Sequence, residues 1–263
     1  LYMNAAQKEH IEQNFNLIEQ KEWRQFFADA PAAIGSLLLS AGINFMVDMD
    51  EIPQGCFKRD REVKDIILPD NLKSIGNWAF EDCISLTSIT IPNSVTNIGI
   101  GAFYDCRSLT SIDIPDSVTS IGKYMFANCR SLKSIVIGDS VTSIGDSTFS
   151  YCSSLTNVKI GDNVKSIGTQ AFFNCSSLTS IEIPESVTII GTDAFHNCTS
   201  LTSIRMSNCV TSLGYGAFDN LGSDVIINFN GTKEQWVNIY NSKAFTNTYY
   251  TVNCLDGAFH KNR

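Results

Sequence analysis

The sequence predicts a mostly β solenoid of stacked 23-residue coils with a parallel sheet along one side, and three observations carry that expectation. Phe57, Phe80, Phe103, Phe126, Phe149, Phe172, Phe195 and Phe218 stand 23 residues apart, and Cys83, Cys106, Cys129, Cys152, Cys175 and Cys198 keep the same step with no insertion. Each unit also carries a Leu-x-x-Ile-x-Ile core, as at Leu86, Ile89 and Ile91, whose last two apolar residues share one face of a strand because side chains alternate. A repeat at this period has to be recognised before single elements are assigned, since it sets the whole fold.

The elements follow in chain order. Between Asn4 and Phe27 the apolar residues Ile11, Phe15, Ile18, Trp23, Phe26 and Phe27 recur at helical spacing, and Asp29-Ala30-Pro31 reads as the start of a second helix that Gly42 closes. Residues 1–51 are therefore expected to form an α-helical cap over the first coil, because the open end of a stacked core has to be covered. Residues 52–221 are the solenoid.

Within a unit, the strand ends in a turn at Pro92-Asn93, Pro115-Asp116 or Gly138-Asp139. A second apolar pair follows, with Val95, Val118, Val141, Val164, Val187 and Val210 in one column and Ile98, Ile121, Ile144, Ile167, Ile190 and Leu213 in the next. The glycines at 76, 99, 122, 145, 168, 191 and 214 then suggest a tight turn with positive φ before the Ala-Phe segment. A single coil cannot bury its own Leu, Ile, Val and Phe, so each must stack on its neighbours. Roughly seven coils at about 4.8 Å predict a rod about 35 Å long.

Residues 222–263 are expected to close the far end. Val225, Ile227 and Phe229 carry one last repeat strand, Thr232 is placed as the N-cap of a short helix, and Tyr250–Cys254 reads as a final strand.

The unit Ala-Phe-x-x-Cys-x-Ser-Leu-x-x-Ile-x-Ile-Pro-x-Ser-Val-x-x-Ile-Gly, of which Ala102-Phe103 through Gly122 is a clean copy, resembles the leucine-rich repeats of the BspA type over about residues 52–221. The segment from Gly231 to Trp236 resembles the closing stretch found after such repeats. The resemblance implies a leucine-rich-repeat solenoid and, as function, surface display, adhesion and recognition of other macromolecules.

Composition agrees with a folded, non-basic surface. The chain is 43% hydrophobic and 17% charged, with a net charge of -8. Its pI is near 4.9 and its mean hydropathy near zero. Scattered Lys and Arg among an acid excess argue against nucleic acid and against an anionic membrane as partners. The most apolar stretch, residues 30–47, is broken by Pro31, Gly35, Gly42 and Asn44, so no membrane insertion is expected. No secretory leader is visible in residues 1–25.

A cysteine ladder one coil apart lacks the C-x2-C spacing of a metal site and is expected to be a column of buried thiols, with Cys56 a small core residue. Cys209 and Cys254 are left over and open to pairing. His10, His196 and His260 are far apart, and no Ser/His/Asp or Cys/His set assembles around them. The acidic and amide column Asp70, Asn93, Asp116, Asp139, Asp162, Glu185 and Asn208 suits turns, with a calcium ladder as the other reading. No cofactor or metal is expected.

Two surfaces remain as binding candidates. Thr90, Asp113, Val136, Lys159, Glu182 and Arg205 form an outward strand column, free to vary between core positions, that serves either as an ion-pair ladder or as a recognition face. Trp78, Tyr104, Tyr124, Tyr151, Phe173, His196 and Tyr215 flank the Phe column as an aromatic ridge that either shields the coils or binds a partner. The expected function is a non-catalytic binding or adhesion module, monomeric and extracellular or at the cell surface, for a protein or glycan ligand. A cytoplasmic or mobile-element-encoded scaffold is the alternative, and an enzyme is the least supported class.

Overall fold

The structure, a computed structural model, describes residues 50–239, 244–245 and 249–261. The helical cap expected over 1–51 lies outside them apart from its last two residues, and Glu51–Ile52 already pairs in parallel with Ser74–Ile75. From there the chain winds as a solenoid whose coils contribute to three parallel rows.

The first row holds the longer strands, among them Ser88–Thr90, Ser134–Val136, Asn157–Lys159, Ser180–Ile183, Ser203–Ser207 and Val225–Asn230. They alternate outward and buried residues, as the Leu-x-x-Ile-x-Ile pattern requires. Register is one full repeat, with Ile181 beside Ile204 and Ile204 beside Ile227. The second row holds two-residue strands such as Ser143–Ile144, Ser166–Ile167 and Ile189–Ile190. Threonines on the outside of both rows are used by the fold. Thr110 Oγ1 donates to the Thr87 carbonyl and Thr211 Oγ1 to that of Thr188, each at 3.2 Å.

The third row is the Ala-Phe segment. The Phe149 amide donates to the Ala171 carbonyl at 2.7 Å and the Phe172 amide to that of Ala194 at 2.7 Å, so the backbone is satisfied from coil to coil without a regular strand. Inside it, the phenylalanine rings stack at centroid spacings of 4.9–5.6 Å and interplanar angles of 20° or less. The stack runs through a ninth ring, Phe245, which sits 5.0 Å from Phe218. The solenoid is therefore about nine turns long, not seven. The chain completes one more turn with a 27-residue step, in which the Phe218 amide donates to Ala244 at 2.9 Å.

The glycine column has a different cause from the one expected. Positive φ does not occur at Gly76, Gly99, Gly145, Gly168, Gly191 or Gly214. A Cβ at Gly168 would stand 2.7 Å from the Gly145 carbonyl carbon and 2.8 Å from the Asp146 nitrogen, so these glycines are required by the close approach of successive coils. The left-handed residues lie two positions later, at Gly55, Trp78, Gly101, Tyr124, Ser147, Gln170, Asp193 and Gly216. A second left-handed column runs through Arg59, Asp82, Asp105, Asn128, Tyr151, Asn174, Asn197 and Asn220.

One glycine departs from its column. A Cβ on Gly122 would find its nearest neighbour 3.8 Å away. Gly99 donates to Ile75 and Gly145 to Ile121, each at 2.8 Å, but among the described residues no such bond joins Gly122 to Ile98. Met125 occupies the place that Ala79, Ala102, Ala171, Ala194 and Ala217 hold in other coils, and its longer side chain is accommodated where the coils spread.

Val225–Asn230 buries Val225, Ile227 and Phe229. Thr232 caps the helix Lys233–Ile239 through a capping box, with the Gln235 amide donating to Thr232 Oγ1 at 3.2 Å and the Thr232 amide to Gln235 Oε1 at 2.9 Å. Trp236 is fully buried and meets Phe229 edge-on at 5.3 Å. Tyr250–Cys254 adds a parallel strand, and Gly257–Lys261, not anticipated, turns back antiparallel to form the sheet edge.

Candidate binding surfaces

The outward column of the long-strand row is continuous in space and changes character along its length. Ile67, Thr90, Asp113 and Val136 are exposed on the earlier coils, Ile67 almost completely at 92% and Val136 at 52%. Thr90 and Asp113 meet in a single bridge. Lys159, Glu182 and Arg205 belong to the later coils, where the strand row forms a cavity of about 960 Å³. Their column is carried on by Asn228 and Asn253, which sequence reasoning missed. Asn228 was within reach, one repeat beyond Arg205, whereas Asn253 stands 25 residues further on and breaks the step.

The expected charge ladder is only partly formed. Arg205 Nη1 and Glu182 Oε1 lie 3.5 Å apart with both side chains exposed, an arrangement worth about 0–1 kcal/mol. Lys159 lines the same cavity, yet Asn157–Lys159 is not paired in a ladder with Ser180–Ile183, and among the described residues no ion pair links it to Glu182. Beyond Arg205 the column becomes an amide ladder, with Asn253 Nδ2 donating to Asn228 Oδ1 at 3.0 Å. Asp162 and Glu185 from the turn column and Leu255 from the turn between the two closing strands also line the cavity. The resulting groove mixes apolar and polar surface and carries both signs of charge.

The aromatic ridge divides into two clusters. Trp78 meets Tyr104 edge-on at 5.8 Å and Tyr124 at 6.4 Å with 26° between the planes. Phe173 is tilted against Tyr151 at 5.4 Å and stacked on His196 at 5.2 Å, while Asp193 Oδ1 lies 3.6 Å from His196 Nδ1. Tyr215 stands 56% exposed outside both clusters. Trp78, Tyr124 and Tyr151 have φ of 56°, 57° and 61°, a conformation that costs a residue with a Cβ roughly 1–2 kcal/mol.

The cysteine column is a buried thiol ladder. Cys83, Cys106, Cys129, Cys152, Cys175 and Cys198 each donate from Sγ to the carbonyl of the phenylalanine 26 residues earlier, at 3.0–3.2 Å. Burial pushes the Cys152 thiol up to about 12 and raises Cys56, Cys83, Cys106, Cys129 and Cys175 for the same reason, so these thiols are poor nucleophiles. Cys209 is exposed, Cys254 half-buried, and both are free. In the turn column Asp139 Oδ1 accepts from the Asp162 amide at 2.9 Å, the coil-to-coil bonding that a turn role predicts. His260 Nδ1 lies 3.1 Å from Thr251 Oγ1, on the opposite end of the solenoid from the first coils. No described helix is long and apolar enough to cross a membrane.

Comparison with known proteins agrees with this geometry. The model of the BspA type leucine-rich repeat region matches residues 50–179 and 119–252. No functionally curated protein matches the sequence. Among solved structures, a leucine-rich repeat protein of T. pallidum is 31% identical with a TM-score of 0.57, over 62% of this chain and 78% of that one. A leucine-rich cell surface protein of Faecalibacterium prausnitzii is 28% identical with a TM-score of 0.51, over 73% of this chain. The chain spans 60% of the length of that protein. With the repeat columns, the stacked rows and the family model in agreement from residue 50 to residue 252, the chain belongs to the BspA-type leucine-rich repeat family.

Proposed function

We propose that the chain is a non-catalytic recognition module, displayed at the cell surface, that holds a protein ligand in the groove over Lys159, Glu182, Arg205, Asn228 and Asn253. The observation that carries this reading is the groove itself, a concavity of about 960 Å³ lined by residues of consecutive strands. Its outward side chains stand free of the core and can change without disturbing it. The mixed charges suit an acidic and a basic group placed along one extended ligand. The weak Arg205–Glu182 pair loses little when a ligand replaces it. Surface display is supported by the likeness to the leucine-rich cell surface protein of F. prausnitzii.

The test is capture of surface and matrix proteins by the intact chain beside a Lys159→Ala, Glu182→Ala, Arg205→Ala variant. The captured protein should bind the variant at least about tenfold more weakly at unchanged circular dichroism. Equal affinity of the two chains would remove the groove as the site.

A further inference from the structure

We propose that Trp78, Tyr104 and Tyr124 form a second binding site, on a different face from the groove, that takes the ring of a neutral saccharide. The fold does not require these rings. In the left-handed column that contains Trp78 and Tyr124, the other coils place Gly55, Gly101, Ser147, Gln170, Asp193 and Gly216 and wind in the same way. In the column of Tyr104, Ala127 and Ser150 serve equally well. Trp78 and Tyr124 therefore carry aromatic rings in a left-handed conformation that the fold imposes on every coil and that Gly, Ser, Gln or Asp fills elsewhere.

The geometry is that of a platform with a wall. Trp78 lies across the next coil at Gly101, where any Cβ would run into its ring, and reaches Tyr124 two coils on. Trp78 is half-buried and Tyr124 is 41% exposed, and their rings stand near-parallel, 26° apart with centroids at 6.4 Å. Tyr104 stands nearly perpendicular at 75° to the indole, and its hydroxyl oxygen accepts from Asn128 Nδ2 at 3.3 Å. The electron-rich faces of such rings attract the polarised C–H groups on the flat side of a pyranose. Rings already fixed by packing lose little freedom on binding.

Charge selects the neutral class. Ions on the same coils are paired with each other, Lys58 with Glu81 at 2.7 Å, Arg107 with Asp105 at 2.7 Å and Lys123 with Asp146 at 2.8 Å, and the whole chain carries -8. An acidic glycan meets the net negative charge of the chain, which disfavours it relative to a neutral one.

The test uses the intact chain on cellulose, xylan and mannan, with alginate as the acidic comparison, alongside Trp78→Ser and Tyr124→Gln, which install the residue types that the same column holds at Ser147 and Gln170. At least one neutral polysaccharide should retain the chain and alginate should not. Each substitution should weaken retention about tenfold or more, while the Lys159, Glu182, Arg205 triple alanine variant leaves it unchanged. Soluble oligosaccharide should also shift the tryptophan emission of the intact chain and not that of Trp78→Ser. The proposal is overturned if no neutral polysaccharide retains the chain, if retention survives both substitutions, or if the substitutions abolish capture of a protein and leave the polysaccharides unaffected.

Discussion

Raising the pH from about 8 to 10 tests the thiol ladder, because six of its members and neighbours, Cys56, Cys83, Cys106, Cys129, Cys152 and Cys175, have ionisations raised by burial. An unfolded cysteine releases its proton near the ordinary value of 9.0, whereas Cys152 in the folded chain keeps it until about 12. For a group whose folded value is raised, the stabilisation is complete below the unfolded value and is lost as pH climbs towards the folded one. Each thiol then removes about 1.4 kcal/mol between pH 8 and 10, and six remove about 8 kcal/mol. That is comparable to the whole stability of an ordinary domain, about 5–15 kcal/mol. Urea unfolding followed by circular dichroism at pH 8, 9 and 10 measures the loss, and a Cys152→Ala variant should show a loss about 1.4 kcal/mol smaller over the same interval. Thiol reagents should label Cys106, Cys129 and Cys152 slowly in the folded chain and rapidly in urea. A loss below about 3 kcal/mol, or rapid labelling of Cys106, Cys129 and Cys152 in the folded chain, would refute the argument.

Two further outcomes follow from the packing. Phe149→Ala removes a fully buried ring from the middle of the stack and should cost about 3–5 kcal/mol in chemical denaturation; a neutral result would mean that the stack is not the core. Gly168→Ala should cost about 1–3 kcal/mol, since its Cβ meets the backbone of the preceding coil at 2.7 Å. Gly122→Ala, with 3.8 Å of clearance, should be neutral or stabilising by about 0.4–1 kcal/mol, and equal losses at the two positions would contradict the stacking account.

Repetition by itself determined most of this protein. A period of 23 residues states that position n packs on position n + 23, so the Phe stack, the thiol column, the strand registers and the outward column were all readable before any coordinate was known. The N-cap at Thr232 and the strand Tyr250–Cys254 were readable too, because local hydrogen bonding and alternation specify them, while the reciprocal bond from Gln235 came from the structure. Where the step changes, the reading stopped: the pair Ala244-Phe245 repeats the Ala-Phe signature, but a 27-residue interval hid the ninth turn and, with it, Asn253 in the groove.

Only the tertiary structure decided what depends on distances between coils. It assigned the repeating glycines to close approach and moved the left-handed φ two residues downstream to Trp78 and Tyr124, since residue type alone does not separate a need for space from a need for backbone freedom. It spread the coils at Gly122 around Met125. It also gathered Lys159, Glu182 and Arg205 into a groove while leaving Thr90, Asp113 and Val136 outside it. A perfect repeat is blind to these differences, because a sequence column records which residues stack and not how far apart the stack holds them.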